Sequence, residues 1–176
     1  MQFILPWNNG IANYQTGVQD LEITRPERCP QCGCGKFHKW GRYGRYVVEA
    51  SNEHYILVQR IRCVKCHKTY SYLPSFCLSG ICYGLDFVMK ILEALLLKME
   101  LSFERIRRRA FAFLRRFVES EALWLTFLRA RGFGIFPRDR RERLIKVLSA
   151  LLEIHREGIL LASFLQETGR HFLSTK

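Results

Sequence analysis

The sequence predicts an α+β chain: a β-rich N-terminal ribbon built around cysteines, followed by an all-α, helix-turn-helix-like half. Three observations predict this. Two C-x-x-C pairs, Cys29/Cys32 and Cys63/Cys66, stand thirty residues apart, with β-branched and aromatic residues crowded between them. From Leu85 onward the apolar residues change to three- and four-residue spacing, the repeat of an amphipathic helix. The charge also divides in two: residues 25–72 carry a net +7, residues 84–146 carry +7 again, and the stretch 73–83 between them carries none. The chain therefore reads as an N-terminal extension (1–24), a ribbon (25–76) and a helical domain (84–176).

The ribbon rests on its cysteines. Two residues between thiolates let a tight turn aim both sulfurs at one ion, and two such turns complete a tetrahedral Cys₄ site of the kind that holds structural zinc. Cys29, Cys32, Cys63 and Cys66 are the expected ligands of one structural zinc ion. Cys34 could replace Cys32 and His67 could replace Cys66, although the doubled C-x-x-C symmetry makes Cys34 the spare. A thioredoxin-type redox pair would need a single C-x-x-C beside a βαβ pattern, which is absent. Residues 43–50 and 54–62 read as two strands joined by a turn at Ser51, Asn52 and Glu53. Cys77 and Cys82, in the uncharged stretch, are expected to be small buried residues.

The helical half reads as a series of short helices. The first covers 85–98, a second runs from a Ser102 cap through Arg109, and a third spans 111–118. Ser120 caps a fourth over 121–131 that Gly132 stops, 139–157 forms a fifth, and 159–166 closes the chain. His155 and His171 have no partner at metal spacing and read as packed or surface histidines.

Twenty-eight Lys and Arg face sixteen Asp and Glu, a net charge of +12 over 176 residues, which points to a polyanionic partner. Lys39, Arg42, Arg45, Arg60, Arg62, Lys65 and Lys68 are the ribbon's expected phosphate contacts. Arg42, Arg45, Arg60 and Arg62 are expected to line one shallow surface, with Trp40, Tyr43 and Tyr46 as the ribbon's small apolar face. Arg105, Arg108, Arg109, Arg115 and Arg116 are the helical contacts, recurring at intervals that place several on one helix face. Only three Asp occur in the chain, Asp20, Asp86 and Asp139, and a closed Cys₄ site leaves no position for water. No phosphate-binding glycine loop or G-x-S-x-G motif is present, so no enzymatic role is expected. The most apolar run, 91–97, is interrupted by Glu93 and is far too short to cross a membrane, and a cytoplasmic location is expected.

The frame C-P-x-C-G, then W-G-R-Y-x-R, then R-I-R-C-x-x-C-x-K-T-Y-S-x-L-P-S-F resembles the N-terminal zinc ribbon of insertion-sequence transposases. It is still more similar to the short zinc-ribbon proteins of bacterial mobile elements that share this frame. The matching residues run from Cys29 to Phe76, about a third of the chain. The resemblance implies a DNA-binding module that recruits or regulates a recombinase. It carries no catalytic residue across, because the ribonuclease-H-like domain of such transposases has no counterpart in this sequence. Duplex DNA is thus the expected partner. The alternatives are an RNA-binding or ribosome-associated ribbon, and an adaptor that docks a recombinase through its C-terminal helices.

Overall fold

The computed structural model describes residues 2–7, 10–17, 24–50, 52–99 and 106–173. The first half forms a four-stranded sheet: β1 (Gln2–Leu5), β2 (Phe37–Glu49), β3 (Asn52–Cys63) and β4 (Thr69–Pro74), in the order β1-β4-β3-β2. A helix, α1 (Gly10–Gly17), follows β1. The second half is helical: α2 (Leu85–Leu97), α3 (Arg107–Glu119), α4 (Glu121–Ala130), α5 (Arg140–Arg156) and α6 (Leu160–Thr168). The α+β class is as the sequence predicts.

β2 and β3 form the expected hairpin, longer than the sequence suggests. Alternation along β2 is interrupted by one extra residue between Lys39 and Arg42, where Gly41 takes φ +76°. That bulge conceals the strand's first half from a period-two reading. The proposed turn residue Ser51 lies outside the described residues. Residues 2–5, placed by the sequence in an N-terminal extension, are the edge strand and run parallel to β4. Trp7 and Ser75 lock this edge: the Trp7 amide donates to Ser75 Oγ at 3.0 Å, and the same hydroxyl donates to the Trp7 carbonyl at 3.1 Å.

Because side chains alternate across a sheet, cross-strand register assigns each residue to a face. One face carries Phe3, Phe37, Ile61, Cys63, Tyr70 and Tyr72, which close over the first cysteine turn. The other carries Val47, Ile56, Val58 and Leu73, packed by Ile11 and Tyr14 of α1 and by Phe76.

The uncharged stretch 73–83 is no free linker. Leu73, Phe76, Cys77, Leu78 and Ile81 are buried, and the chain is stitched to β2. The Val48 amide donates to the Cys82 carbonyl at 2.7 Å, the Gly84 amide donates to the Val48 carbonyl at 3.0 Å, and Arg45 Nη2 donates to the carbonyls of Leu78 and Ile81. Lack of charge marks burial here. Cys77 is buried as expected, whereas Cys82 is exposed, with Arg109 Nη1 3.7 Å from its sulfur.

The helical core centres on Trp124, fully buried, whose ring lies 4.6 Å from Phe164, 4.8 Å from Phe172 and 5.8 Å from Phe117. Its indole N–H donates to the Phe117 carbonyl, so the polar atom is satisfied as well. The break expected between Arg109 and Phe111 is absent. Ala110, Phe113 and Phe117 form a continuous buried stripe along α3, so nothing breaks the helix between Arg109 and Phe111. Ser102, the proposed cap, lies outside the described residues. Ser120 joins α3 to α4 without a side-chain cap bond, whereas Asp139 caps α5 by accepting from the Glu142 amide at 2.9 Å.

Candidate metal centre and basic surfaces

The two cysteine turns are near copies of each other. In each, the amide five residues from the end of the turn closes it: Cys29 N–H donates to the Cys34 carbonyl, and Cys63 N–H donates to the Lys68 carbonyl. Inside that ring, the Gly33 amide returns to the Cys29 carbonyl and the His67 amide to the Cys63 carbonyl. The residue after the second cysteine is left-handed in both, Gly33 at φ +71° and His67 at φ +58°. Glycine adopts this conformation freely, whereas histidine does so at a cost. Arg62 Nε donates to the His67 carbonyl at 3.1 Å and steadies the second turn.

These turns bring the sulfurs of Cys29, Cys32, Cys63 and Cys66 within 4.8 Å of one another. Cys29 and Cys66 are 3.6 Å apart, as are Cys32 and Cys63. A tetrahedron with metal–sulfur bonds of about 2.3 Å separates its sulfurs by roughly 3.8 Å, so the set fits such an ion. Cys34 and His67 stand outside the cluster; the Cys34 sulfur instead accepts from the Lys36 amide at 3.5 Å.

Each sulfur is already furnished with donors. Burial opposes a Cys29 thiolate, but the Tyr70 hydroxyl at 3.0 Å and the amides of Gln31 and Cys32 donate to it and pull the thiol down to about 6. The amide of Cys66, joined by that of Lys65, draws Cys63 down against burial. Cys32 and Cys66 also receive one amide each, from Cys34 and Lys68. For both, burial and neighbouring sulfurs outweigh it; Cys32 is held up to about 12 and Cys66 is raised. Four thiols this close cannot all ionise unaided, and a soft dication would remove the conflict. The four cysteines could hold a metal ion and are compatible with one structural zinc. Tyr70 is the supporting residue that sequence reasoning missed: it lies in the T-Y-S segment, but only the β3–β4 register places its hydroxyl on Cys29.

The ribbon's bases do not share one surface. Register puts Arg45, Arg60 and Arg62 on the face opposite the cysteines and Arg42 on the cysteine face. Arg45 is committed to the junction carbonyls described above. Arg60 and Arg62 lie against aromatic rings, Arg60 5.5 Å from the centre of Tyr43 and Arg62 4.3 Å from that of Trp40. Only Tyr43 of the three aromatics packs on the core as the sequence suggested; Trp40 is 45% exposed and Tyr46 59%. Lys39, Arg42, Lys65 and Lys68 are exposed.

In the helical half, Arg105 lies outside the described residues. Arg107, Arg108 and Arg115 project from α3 into solvent, and Arg115 reaches Glu119 at 3.8 Å, an exposed pair of little energetic weight. Arg109 is exposed but tied to the Tyr83 hydroxyl at 3.0 Å, and Arg116 is half-buried with its Nε shielded from water. Of the expected helical set, Arg108 and Arg115 are thus the freely presented members.

His155 has a partner that its sequence position did not announce. Its Nε2 lies 2.7 Å from Asp86 Oδ1 at the start of α2, and this hydrogen bond, against the opposing effect of burial, holds the Asp86 carboxyl below the usual range. The pair borders a cleft of about 440 Å³ that also includes Glu49 and Ser75. Ser75 is not a poised nucleophile, since its hydroxyl is spent on both backbone groups of Trp7.

No helix among the described residues is long and apolar enough to cross a membrane. No curated protein and no solved structure matches the chain. Residues 29–109, which run from the first cysteine through the hairpin and the buried junction into α3, match a family described as a domain of unknown function (DUF6431).

Proposed function

We propose that this protein is a non-enzymatic, zinc-stabilised duplex-DNA-binding protein, with the zinc fixing a ribbon that presents arginines to phosphates. One observation carries the reading. Beyond a closed four-cysteine cluster, the opposite sheet face holds half-exposed Arg62 over Trp40 and Arg60 over Tyr43. A guanidinium stacked on a ring keeps its outward N–H donors in a fixed plane, suited to a phosphate or a base edge. The exposed Arg107, Arg108 and Arg115 of α3 supply a second set of contacts. Zinc would be held by Cys29, Cys32, Cys63 and Cys66 and would supply folding energy rather than chemistry, since four thiolates leave no open coordination position. The likeness of the C-P-x-C-G and W-G-R-Y-x-R frame to mobile-element ribbons favours a role beside a bacterial recombinase.

The test compares the zinc-loaded protein with two triple variants, Arg42→Ala/Arg60→Ala/Arg62→Ala and Arg107→Ala/Arg108→Ala/Arg115→Ala. Each is titrated against several duplexes and a structured RNA across a range of salt. Each triple variant is expected to bind more weakly and to lose roughly 0.9 of salt slope per phosphate contact removed. Tighter binding to RNA than to any duplex would replace DNA by RNA as the partner. Absence of salt-dependent affinity for either would leave the adaptor role in its place.

A further inference from the structure

The loop joining α4 to α5, residues 132–138, carries Ile135, which at 87% exposure is the most exposed large apolar side chain among the described residues. Such exposure means little on a loose loop, but this one is anchored on both sides. Phe133 and Phe136 pack against the helical core. The Phe133 amide donates to the Leu128 carbonyl at 3.1 Å, and Arg143 Nη1 donates to the carbonyls of Pro137 and Arg138 at 3.1 and 2.8 Å. Gly132, at φ +82°, lets the chain leave α4 sharply. The backbone is thereby pinned while the isoleucine stands out from it.

Its surroundings are cationic. An adjoining groove of about 590 Å³ has Arg129, Arg138, Arg140 and Arg143 against Glu119 and Glu121 on its walls, and Glu119 faces Arg115 at 3.8 Å. Glu121 in that groove is taken up by Arg140 at 3.0 Å and Arg143 at 2.6 Å. Arg129 and Arg138 make no ion pair among the described residues. An exposed apolar side chain on a pinned loop, next to a groove that carries Arg129 and Arg138, suits a partner that offers an apolar slot between anionic rails. The stacked bases and paired backbones of duplex DNA offer that combination.

We propose that the 132–138 loop is a wedge for duplex DNA. Ile135 enters from the minor groove between two adjacent base pairs and unstacks them, while Arg129 and Arg138 hold the flanking phosphates. Apolar wedges of this kind kink a duplex by about 20–90° and offset the cost of unstacking against the added contact. The proposal rests on the DNA-binding reading above and adds to it a deformation of the bound duplex.

The experiment uses the zinc-loaded full chain and a duplex of about 30 base pairs, a length whose bending is readily measured. The duplex carries a donor and an acceptor dye at its two ends, and affinity is measured in parallel. Wild-type protein is expected to raise energy transfer, and Ile135→Ala to return it to the free-duplex value with affinity changed by no more than about threefold, since contact and unstacking are lost together. Ile135→Phe should retain the bend. Arg129→Ala/Arg138→Ala should lower affinity and reduce the salt slope by up to roughly 0.9 for each of the two contacts. Tight binding by wild-type protein without bending, or an unchanged bend in Ile135→Ala, overturns the wedge while the DNA-binding reading stands. Failure of the wild-type protein to bind any duplex overturns both.

Discussion

Exchanging the residue types at the two left-handed positions of the cysteine turns should move metal affinity in opposite directions. Gly33 and His67 occupy equivalent sites, with φ +71° and +58°. An L-residue pays about 1–2 kcal/mol to adopt this conformation, while glycine brings about 0.4–1 kcal/mol of extra freedom to the unfolded chain. A Cβ built on Gly33 meets no atom within 4 Å, so Gly33→Ala incurs the backbone cost alone, a net loss of about 1 kcal/mol. His67→Gly gains a similar amount, and the Arg62 bond to its carbonyl is untouched by the change. Because such a site forms only as the ribbon folds, stability there appears as metal affinity, and about 1 kcal/mol is roughly a fivefold change. Competition for zinc against a chromophoric chelator would measure it. Gly33→Ala should bind zinc about fivefold more weakly and His67→Gly about fivefold more tightly. A loss of tenfold or more in His67→Gly would mean that the imidazole itself holds the ion, and an unaffected Gly33→Ala would mean that the turn geometry contributes nothing to the site.

Cys66→Ser should abolish stoichiometric zinc in native mass spectrometry and unfold the ribbon, whereas Cys34→Ser should retain one ion per chain, since its sulfur lies outside the cluster. Trp124→Ala removes the centre of the helical core and should cost about 3–5 kcal/mol in denaturant unfolding. Burial opposes ionisation of Glu121, but Arg143 and Arg140 override it and hold the carboxyl below its ordinary range. Its contribution is therefore full above the ordinary carboxylate pKa and lost as the pH falls through the lowered folded value. The difference between wild type and Glu121→Gln, about 1–2 kcal/mol at neutral pH, should vanish in acid-titrated unfolding.

What could be read from the sequence was what local spacing encodes. Cys29, Cys32, Cys63 and Cys66 announce a shared ion because a two-residue gap constrains sulfur geometry by itself. The Leu144, Leu148, Leu151 stripe marks α5, whereas Asp139, read as part of that helix, is its cap. Pairings between distant residues were not legible. Nothing near Gln2–Leu5 signals a strand until Ser71–Pro74 lies beside it, and a four-residue edge is too short to show alternation. α3 was read as two helices because the Arg107–Arg109 run masked the Ala110, Phe113, Phe117 stripe. The junction was read as a linker because composition reports charge, whereas its role depends on contacts with Arg45 and Val48. The faces of Arg42 and Arg45 depend on the bulge before Arg42, which shifts register and with it the side on which each base emerges.

The parallel pairing of β1 with β4 sets an order of assembly opposite to the order of synthesis. Gln2–Leu5 leave the ribosome well before Ser71–Pro74, their partners in the sheet. Closing that span is among the larger entropic costs in the sheet, while the β2–β3 hairpin and the cysteine turns close over much shorter distances. The earliest strand must therefore wait, solvated and unpaired, until the ribbon has formed and presents the free edge of β4. During that interval β4 is itself an uncovered strand edge, open to pairing with another chain. Metal supply during translation would then govern more than the ribbon: a nascent chain short of zinc would prolong that exposure, and its first visible consequence would be intermolecular association.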